Sequence, residues 1–448
     1  MPVSHVPSET VSFWMSSPPA PQPALAGELD ADVAVVGAGY TGLSTALALR
    51  AEGLRVAVLE REFAGFGASG RNAGHLTPTI GKDLPTLLRV FGLERARALV
   101  ALAEEGVTCV EGLIQKYGID CGYVPAGNVI AGLLPGHARR LERAAETATR
   151  LGARVEFLPP EAVRARGLPA FVSCGIHERC GGVLDPARYV LGLRRAALEA
   201  GVQLFEGTPL SRLEQGPRLT LATPRGRLRA ERAVLATNAW TPGLGWLGRR
   251  ILRVYVSLFA SEPLSPEQRA RVGWAGSEGL YTAHESLESY RWSADGRIVG
   301  GAKTVRYGFA GRELPDHDAA TFAILERAFR ERFPELAELA VARWWSGPIA
   351  FALDFLPALG CGGRHRNVYY AAGYAGHGVA LASLAGRLVA DLMQGREGPG
   401  RALLEGFHPP LPPEPLRWLV ARGLIGFLGA LDARTDRAAR RLRGLSRA

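Results

Sequence analysis

From residue 33 to residue 60 the chain reads VAVVGAGYTGLSTALALRAEGLRVAVLE, the pattern that constrains its fold most tightly. The β-branched run 32–36 meets a turn with Gly37, Gly39 and Gly42 in the spacing G-x-G-x-x-G, Tyr40 and Thr41 standing between the last two. A helical pattern follows over 43–51, Gly53 ends it, and residues 55–60 are a second apolar strand. This is one βαβ unit. Gly37 permits the tight turn, Gly39 lets a pyrophosphate approach the backbone, and Gly42 lets the helix sit close on the strand. The helix start supplies free N–H groups and partial positive charge to the phosphates. Glu60, followed by Arg61, stands about 20 residues on, where an acid bonds the adenosine ribose. Strand, helix and acid in this register predict dinucleotide binding.

The next stretch, GFGASGRNAGHLTP at 65–78, argues for a flavin over a nicotinamide. A plain NAD domain would continue with another βα unit. Here a loop follows almost at once, and Gly67, Ala68, Ser69, Gly70, Ala73 and Gly74 let its backbone lie along a large planar ligand. Ser69, Arg71 and Asn72 offer donors to phosphate or ring edges. At AVLATNAWTPGL, 233–244, an apolar strand ends in small residues at Thr237, over which a cofactor can pass. Near the end, NVYYAAGYAGHGVALASLAG reads as strand, glycine turn and helix. Gly373 opens the turn, and Gly376, His377, Gly378 and Val379 stand at the helix start. That N-terminus suits the negative charge that collects at N1 and the C2 carbonyl of a reduced flavin.

These segments are far apart in the chain, with sheet-like material between them. The expected class is α/β: a discontinuous Rossmann-like FAD-binding domain with an inserted antiparallel-sheet substrate domain. The expected order is an extended arm (1–29), a first FAD-binding part (30–83), a helical segment of the substrate domain (84–165), a second FAD-binding part (166–244), the substrate sheet (245–342), a third FAD-binding part (343–400) and a helical tail (401–448). Phe13 and Trp14 are expected to pin the arm. The net charge of +10 is carried almost wholly by arginine, with only Lys82, Lys116 and Lys303 as lysines. The basic residues form no patch interleaved with aromatics, which argues against a nucleic-acid partner. Five cysteines, odd in number and without metal-ligand spacing, point to buried thiols in a reduced compartment and to no metal site. The opening MPVSHVPSETVSFW lacks the basic start and apolar core of a signal peptide, and no apolar run approaches the ~18 residues of a spanning helix. A cytoplasmic location is expected.

Taken together, GASGRNAG, GGVLDPARYVLGLRRAALEAGV and ATNAW, with the arm SFWMSSPPAPQP and the PLRW…LD tail, resemble the D-amino-acid-oxidase-like superfamily of FAD-dependent amine oxidoreductases, most of all its γ-glutamylputrescine oxidase branch. The resemblance runs from about residue 12 to 432. It implies FAD bound across the first βα turn, its ring packed between two domains and an amine held against one ring face by the inserted sheet. It also implies that flavin attachment is non-covalent. The cysteine that carries the flavin in the sarcosine-oxidase branch corresponds to Gly347, and the histidine that does so in dimethylglycine-dehydrogenase relatives corresponds to Arg71; His75 stands close by. The lysine with which the sarcosine branch holds a substrate carboxylate corresponds to Ala380, and its partner arginine is missing from HLTP. A small α-amino acid gripped by its carboxylate is therefore disfavoured, and an amine with a remote or absent acid group is expected.

Tyr255, Tyr281, His284, Tyr290 and Arg291 are candidates to line the pocket, where aromatic rings suit a cationic amine. Tyr290–Arg291 resembles a family YYR before the Asp295–Gly296 hairpin, and these two with His377 and Lys303 are the candidate catalytic residues. In the sarcosine branch a lysine near flavin N5 speeds reaction with oxygen, and Lys303 is the candidate for that role. Asp354 resembles a structural Asp before the flavin-contacting loop. The expected reaction is hydride transfer from an amine to flavin N5, with oxygen or another acceptor taking the electrons. Two other readings stay open: a membrane-associated, quinone-linked dehydrogenase or oxidase of D-amino acids, glycine or sarcosine, and a flavin-binding subunit without chemistry. The tail has two readings as well, a docked helix or an amphipathic helix on a membrane surface.

Overall fold

The computed structural model describes residues 11–406 and 408–444. The strand Gly27–Val36 lies at the centre of the first sheet. It pairs in parallel with Gly226–Leu235 on one side and with Val56–Leu59 on the other. The full order is Ala358–Gly362, Val368–Ala372, Gly226–Leu235, Gly27–Val36, Val56–Leu59, Gln203–Phe205, and a short meander of Arg212–Glu214 and Leu219–Ala222 joins Gly226–Leu235. The neighbours run parallel except the edge pair of Ala358–Gly362 with Val368–Ala372 and the two pairings of the meander, which are antiparallel. The central strands are buried on both faces, Val33, Ala34 and Val35 being fully shielded, which explains a continuous apolar run instead of an alternating one. Helices Tyr40–Ala51, Pro186–Glu199 and Gly378–Met393 form the largest core against this sheet. Two of them touch through Gly386, where a β-carbon would come within 2.5 Å of Ser44 Cβ. The close crossing is what the small residues of ASLAG permit.

The second sheet has the order Val341–Phe351, Leu252–Ser261, Ile298–Arg306, Glu288–Trp292, Gly279–Thr282, Asn128–Gly132, Cys174–Glu178, Val155–Leu158. It departs from the expected antiparallel sheet at one pair, Gly279–Thr282 with Asn128–Gly132, which runs parallel. The Asp295–Gly296 turn joins two of its strands as expected, Trp292 facing Ile298. One face packs on helix Ala319–Arg332 through Phe259, Tyr290, Phe322, Phe329 and Trp344. The alternating positions turn the other way, toward residues 65–79. Trp345 Nε1 donates to the Arg71 carbonyl at 2.8 Å, and Leu258 and Trp345 pack with Ala73.

The sheets divide the chain differently from the segmentation expected at two places. Cys174–Glu178 falls in the second FAD-binding part but is a strand of the second sheet, and Val341–Phe351 crosses the expected boundary at 343 to pair with Leu252–Ser261. Local pattern marks a strand, whereas its sheet is chosen by partners distant in sequence. In the arm, Phe13 stacks on Trp345 at 6.4 Å, Trp14 Nε1 donates to the Asn72 carbonyl at 2.9 Å, and Met15 is buried in the core.

The tail helix Leu416–Leu442 is docked by its second half. Asp432 accepts from the backbone of Glu285 and Ser286, and Asp436 enters a buried ionic cluster. On its first half Leu416, Leu419, Val420, Leu424 and Phe427 are exposed. No helix among the described residues is long and apolar enough to cross a membrane. The five cysteines are free, and burial pushes the thiols of Cys121, Cys174 and Cys180 up to about 11.

Candidate active site between the two sheets

Four parallel strands of the first sheet end at Val36, Leu59, Leu235 and Ala372, and the sequence motifs follow directly on each. The glycine turn, Glu60, Thr237 and the Gly373 turn therefore share one sheet edge. Ligands of open α/β sheets bind at this carboxyl edge, where the strand order reverses about the first strand.

The edge is shaped to accept a dinucleotide. Gly37 has φ 103°, and a β-carbon there would meet the Ala236 carbonyl at 2.8 Å. A β-carbon on Gly42 would lie 1.8 Å from the Gly37 carbonyl oxygen, so helix and turn can close only around glycine. The helix begins at Tyr40, whose N–H donates to Ser69 Oγ at 3.0 Å, while Gly39 leaves 2.9 Å between that oxygen and the place of a β-carbon. Glu60 accepts from the N–H groups of Ala38 at 2.7 Å and Glu62 at 3.0 Å; burial raises its carboxyl above the usual range. Arg61 lies over Trp240 at 5.1 Å and over Phe66 at 5.5 Å, and Trp240 rests on Gly67. Thr237 Oγ1 is 2.9 Å from Thr241 Oγ1. These contacts fit FAD: a bare backbone cradle at a helix start, an acid at the second strand end, and a loop of small residues beside them.

Two residues missed in the sequence tie the edge together. Asn238, with φ 42°, accepts from the Gly373 N–H at 3.0 Å, and Tyr374 Oη lies 2.7 Å from Thr41 Oγ1. An Asn directly after a strand, able to hold positive φ, was the available signal for the first. The late turn has positive φ at Gly373, Ala375 and Gly376 before the helix Gly378–Met393 begins. His377 Nδ1 lies 2.7 Å from Thr79 Oγ1, and burial lowers the imidazole to about 4, so it is neutral at ordinary pH. Val379 is buried behind it.

The loop 65–74 is braced from the second sheet. Arg71 donates to the carbonyls of Phe66 and Ser346 and to Asp316 at 2.5 Å. A β-carbon on Gly347 would come within 2.9 Å of Arg71 Cδ. The two positions compared with covalent attachment residues are thus in contact, and Arg71 fills the space beside Gly347. Asn72 holds the loop itself, donating to Ala68, Ser69 and Tyr40 and accepting from Gly74. Ala68 and Gly70 form the short turn between them.

The candidate catalytic residues are not brought together. Tyr290 points into the second core and its hydroxyl donates to Glu288 at 3.0 Å. Arg291 is on the cleft face, 4% exposed, and its guanidinium donates to the Gly74 and Leu184 carbonyls and lies 5.1 Å from the Trp14 ring. It braces the loop, and burial lowers it to about 10. Lys303 lies in a buried cluster far from the loop, donating to Glu288 at 2.6 Å and Asp436 at 2.7 Å. His284 lies 3.1 Å from Asp436, and Arg332 closes the same cluster. Ligand atoms of His284, Glu288 and Asp436 are close enough to share a metal, but Lys303 and Arg332 already supply the positive charge there. Tyr255 lies under Arg306 at 5.8 Å and shares its sheet face with Phe259, away from the loop. Of the pocket candidates Tyr281 faces the loop together with Arg291, its ring 5.8 Å from that of His75. Asp354 accepts from Leu356 and pairs with His408, a structural role.

The chain belongs to the FAD dependent oxidoreductase (DAO) family, whose profile matches residues 32–392. FAD is its cofactor and it is an oxidoreductase of the amine and amino-acid oxidase kind. It is similar to the γ-glutamylputrescine oxidoreductase of Escherichia coli K12, 30% identical over 382 residues, 84% of this chain and 86% of that protein. It is 28% identical to the glycine oxidase of Geobacillus kaustophilus over 82% of this chain and 93% of that one. The crystal structure of a G. kaustophilus glycine oxidase superimposes with a TM-score of 0.69 at 24% identity, covering 83% of this chain and 96% of that one. An L-proline dehydrogenase from P. horikoshii superimposes equally well, with a TM-score of 0.69 at 20% identity over 84% of this chain and 98% of that one.

Proposed function

We propose that this protein oxidises a primary or secondary amine of the γ-glutamyl-amine type and holds FAD without a covalent link. FAD, when bound, takes a hydride from the carbon bearing the amine and passes the electrons to oxygen or another acceptor. The chain's task is to orient the amine, exclude water and favour the neutral amine. The neutral His377 and the helix start at Gly378 stand where negative charge needs stabilising, on the edge shared by the four motifs.

The observation that carries the choice of substrate is the engagement of the arginines between loop and sheet. Arg71 and Arg291 already serve Asp316 and backbone carbonyls, and Ala380 is buried against Gly106. A substrate carboxylate held at the reacting centre would be left without a partner, at a cost of several kcal/mol. An amine with a remote acid group avoids that cost, and the similarity to a γ-glutamylputrescine oxidoreductase supports the same reading.

One observation favours a second reading, oxidation of a small amino acid. The chain is also 28% identical to a glycine oxidase over 82% of its length. The test is anaerobic bleaching of the purified yellow protein. A mono-γ-glutamyl diamine should reduce the flavin fully, and reduction by glycine or a D-amino acid alone would favour the second reading.

A further inference from the structure

Glu178 ends the strand Cys174–Glu178, opposite Asn128 in the register, and both belong to the sheet face turned to residues 74–79. It is 5% exposed, and its Oε2 accepts a hydrogen bond from the Tyr281 hydroxyl. The Tyr281 ring meets the His75 ring edge to face. His75 Nδ1 lies 2.9 Å from Asn128 Oδ1, and the Asn128 amide nitrogen donates to the Leu76 carbonyl at 2.9 Å. The Asn128 oxygen is therefore the acceptor and Nδ1 carries the proton. Nε2 is left with a bare lone pair, buried and without a hydrogen-bond partner. His75 directly follows the last glycine of the flavin loop.

Two other buried acids show what Glu178 lacks, whereas Asp432 is held by two backbone N–H groups. Glu206 pairs with Arg194 at 2.7 Å, and Glu288 pairs with Arg332 at 2.8 Å and Lys303 at 2.6 Å. Among the described residues no cation is paired with Glu178. A buried carboxylate in this state is costly unless a cation arrives, and burial accordingly pushes it up to about 7.

We propose that Glu178, Tyr281 and His75 form the receptor for the substrate's cationic amine. The proposal rests on the amine-oxidation reading above and names the residues that recognise the amine. The ammonium docks against the Glu178 carboxylate and gives it one proton. One N–H bond breaks and one O–H bond forms, leaving a neutral amine and a neutral carboxylic acid. The neutral amine keeps an N–H to donate to His75 Nε2, and its lone pair becomes free to assist loss of hydride. A carboxyl poised near neutral pH suits such an exchange. The groups that face it are Tyr281 from the neighbouring strands, Asn128 opposite and His75 from the loop, with Arg291 held on carbonyls farther along the same face.

The test uses the holoenzyme and a probe that cannot react: a mono-acylated 1,4-diaminobutane with two methyl groups on the carbon bearing the free amine, which removes its hydride. The corresponding tertiary alcohol is the uncharged control. Binding is read by flavin difference spectra and calorimetry. Glu178→Gln should weaken the amine probe at least ~10-fold, about 1.4 kcal/mol, and leave the alcohol within about 2-fold. The substitution should also raise Tm at pH 8.5 and not at pH 5. A carboxyl raised in the folded state contributes stability below its unfolded value near 4.5 and loses it as pH rises through about 7. Equal binding of the amine by both proteins overturns the proposal. If E178Q fails to retain FAD, Tyr281→Phe replaces it and should weaken the amine probe at least ~3-fold; unchanged affinity overturns the proposal equally. The two readings fail separately. Probe binding through Glu178 in a protein that no amine bleaches would sink amine oxidation and keep the receptor. Wild-type concentration dependence of bleaching in E178Q would do the reverse.

Discussion

A β-carbon at Gly39 would stand 2.9 Å from Ser69 Oγ, beside the one hydroxyl that bonds the first N–H of the nucleotide helix. Gly39→Val should therefore abolish FAD retention in a protein that still folds, read from the 450 nm band per chain; normal occupancy would show that the backbone cradle is not used. Glu60→Ala should weaken FAD by ~1–3 kcal/mol, the range for hydrogen bonds to a charged group. Arg71 and Gly347 bear on attachment. Neither can form a thioether or a histidyl link, and they occupy one another's space. Acid precipitation should leave all the flavin in the supernatant, and flavin that follows the denatured chain on a gel would contradict this. At this scale the cradle glycines were legible because each is required by a conformation or a close approach. Glu178 was not legible, since an acid two residues before a cysteine carries no local sign of being buried without a cation.

Elements were legible where their signal is local. The nucleotide helix begins at Tyr40, three residues before the periodic pattern suggests, because the apolar seam starts later than the backbone turn. The strand Cys174–Glu178 was misplaced because its partners, 128–132 and 155–158, lie across loops. Lys303 shows the same limit. It follows Ala302 in a bulge where both have positive φ, and the side chain then reaches Glu288 and, on the tail helix, Asp436. Burial opposes the charge on Asp436, but the His284 hydrogen bond, Arg332 and Lys303 hold it well below the usual carboxylate range. Lys303 is thus a clamp between sheet and tail. Lys303→Met should cost ~3–5 kcal/mol in a urea melt, as for breaking a buried pair. It should leave the rate at which oxygen reoxidises the reduced protein unchanged; a large fall in that rate with normal stability would return Lys303 to the flavin.

The two sheets meet across the loop 65–79, and the polar groups buried there and elsewhere make stability depend on pH. Burial lowers His75, His137 and His377 to about 4 from 6.5. The unfolded chain binds these protons and the folded one does not, so their contribution is present above pH ~6.5 and is lost as the pH falls through about 4. Tm should fall between pH 6.5 and 4, and His137→Gln, far from the loop, should flatten that fall; an unchanged slope would contradict the assignment. The α/β class and the FAD edge could be read from sequence because each motif follows its own strand. The face proposed to receive the amine could not, because it is assembled from strands at 128–132, 174–178, 279–282 and 288–292.

The proposed function requires this cleft to select an amine with no carboxylate at the reacting carbon. The most direct measurement is kcat/KM, by stopped-flow flavin reduction and steady-state turnover, for a mono-γ-glutamyl diamine against sarcosine, glycine and D-alanine. At least a ~10-fold preference for the γ-glutamyl amine is expected, about 1.4 kcal/mol in transition-state binding. Equal or better turnover of sarcosine, glycine or D-alanine would contradict it.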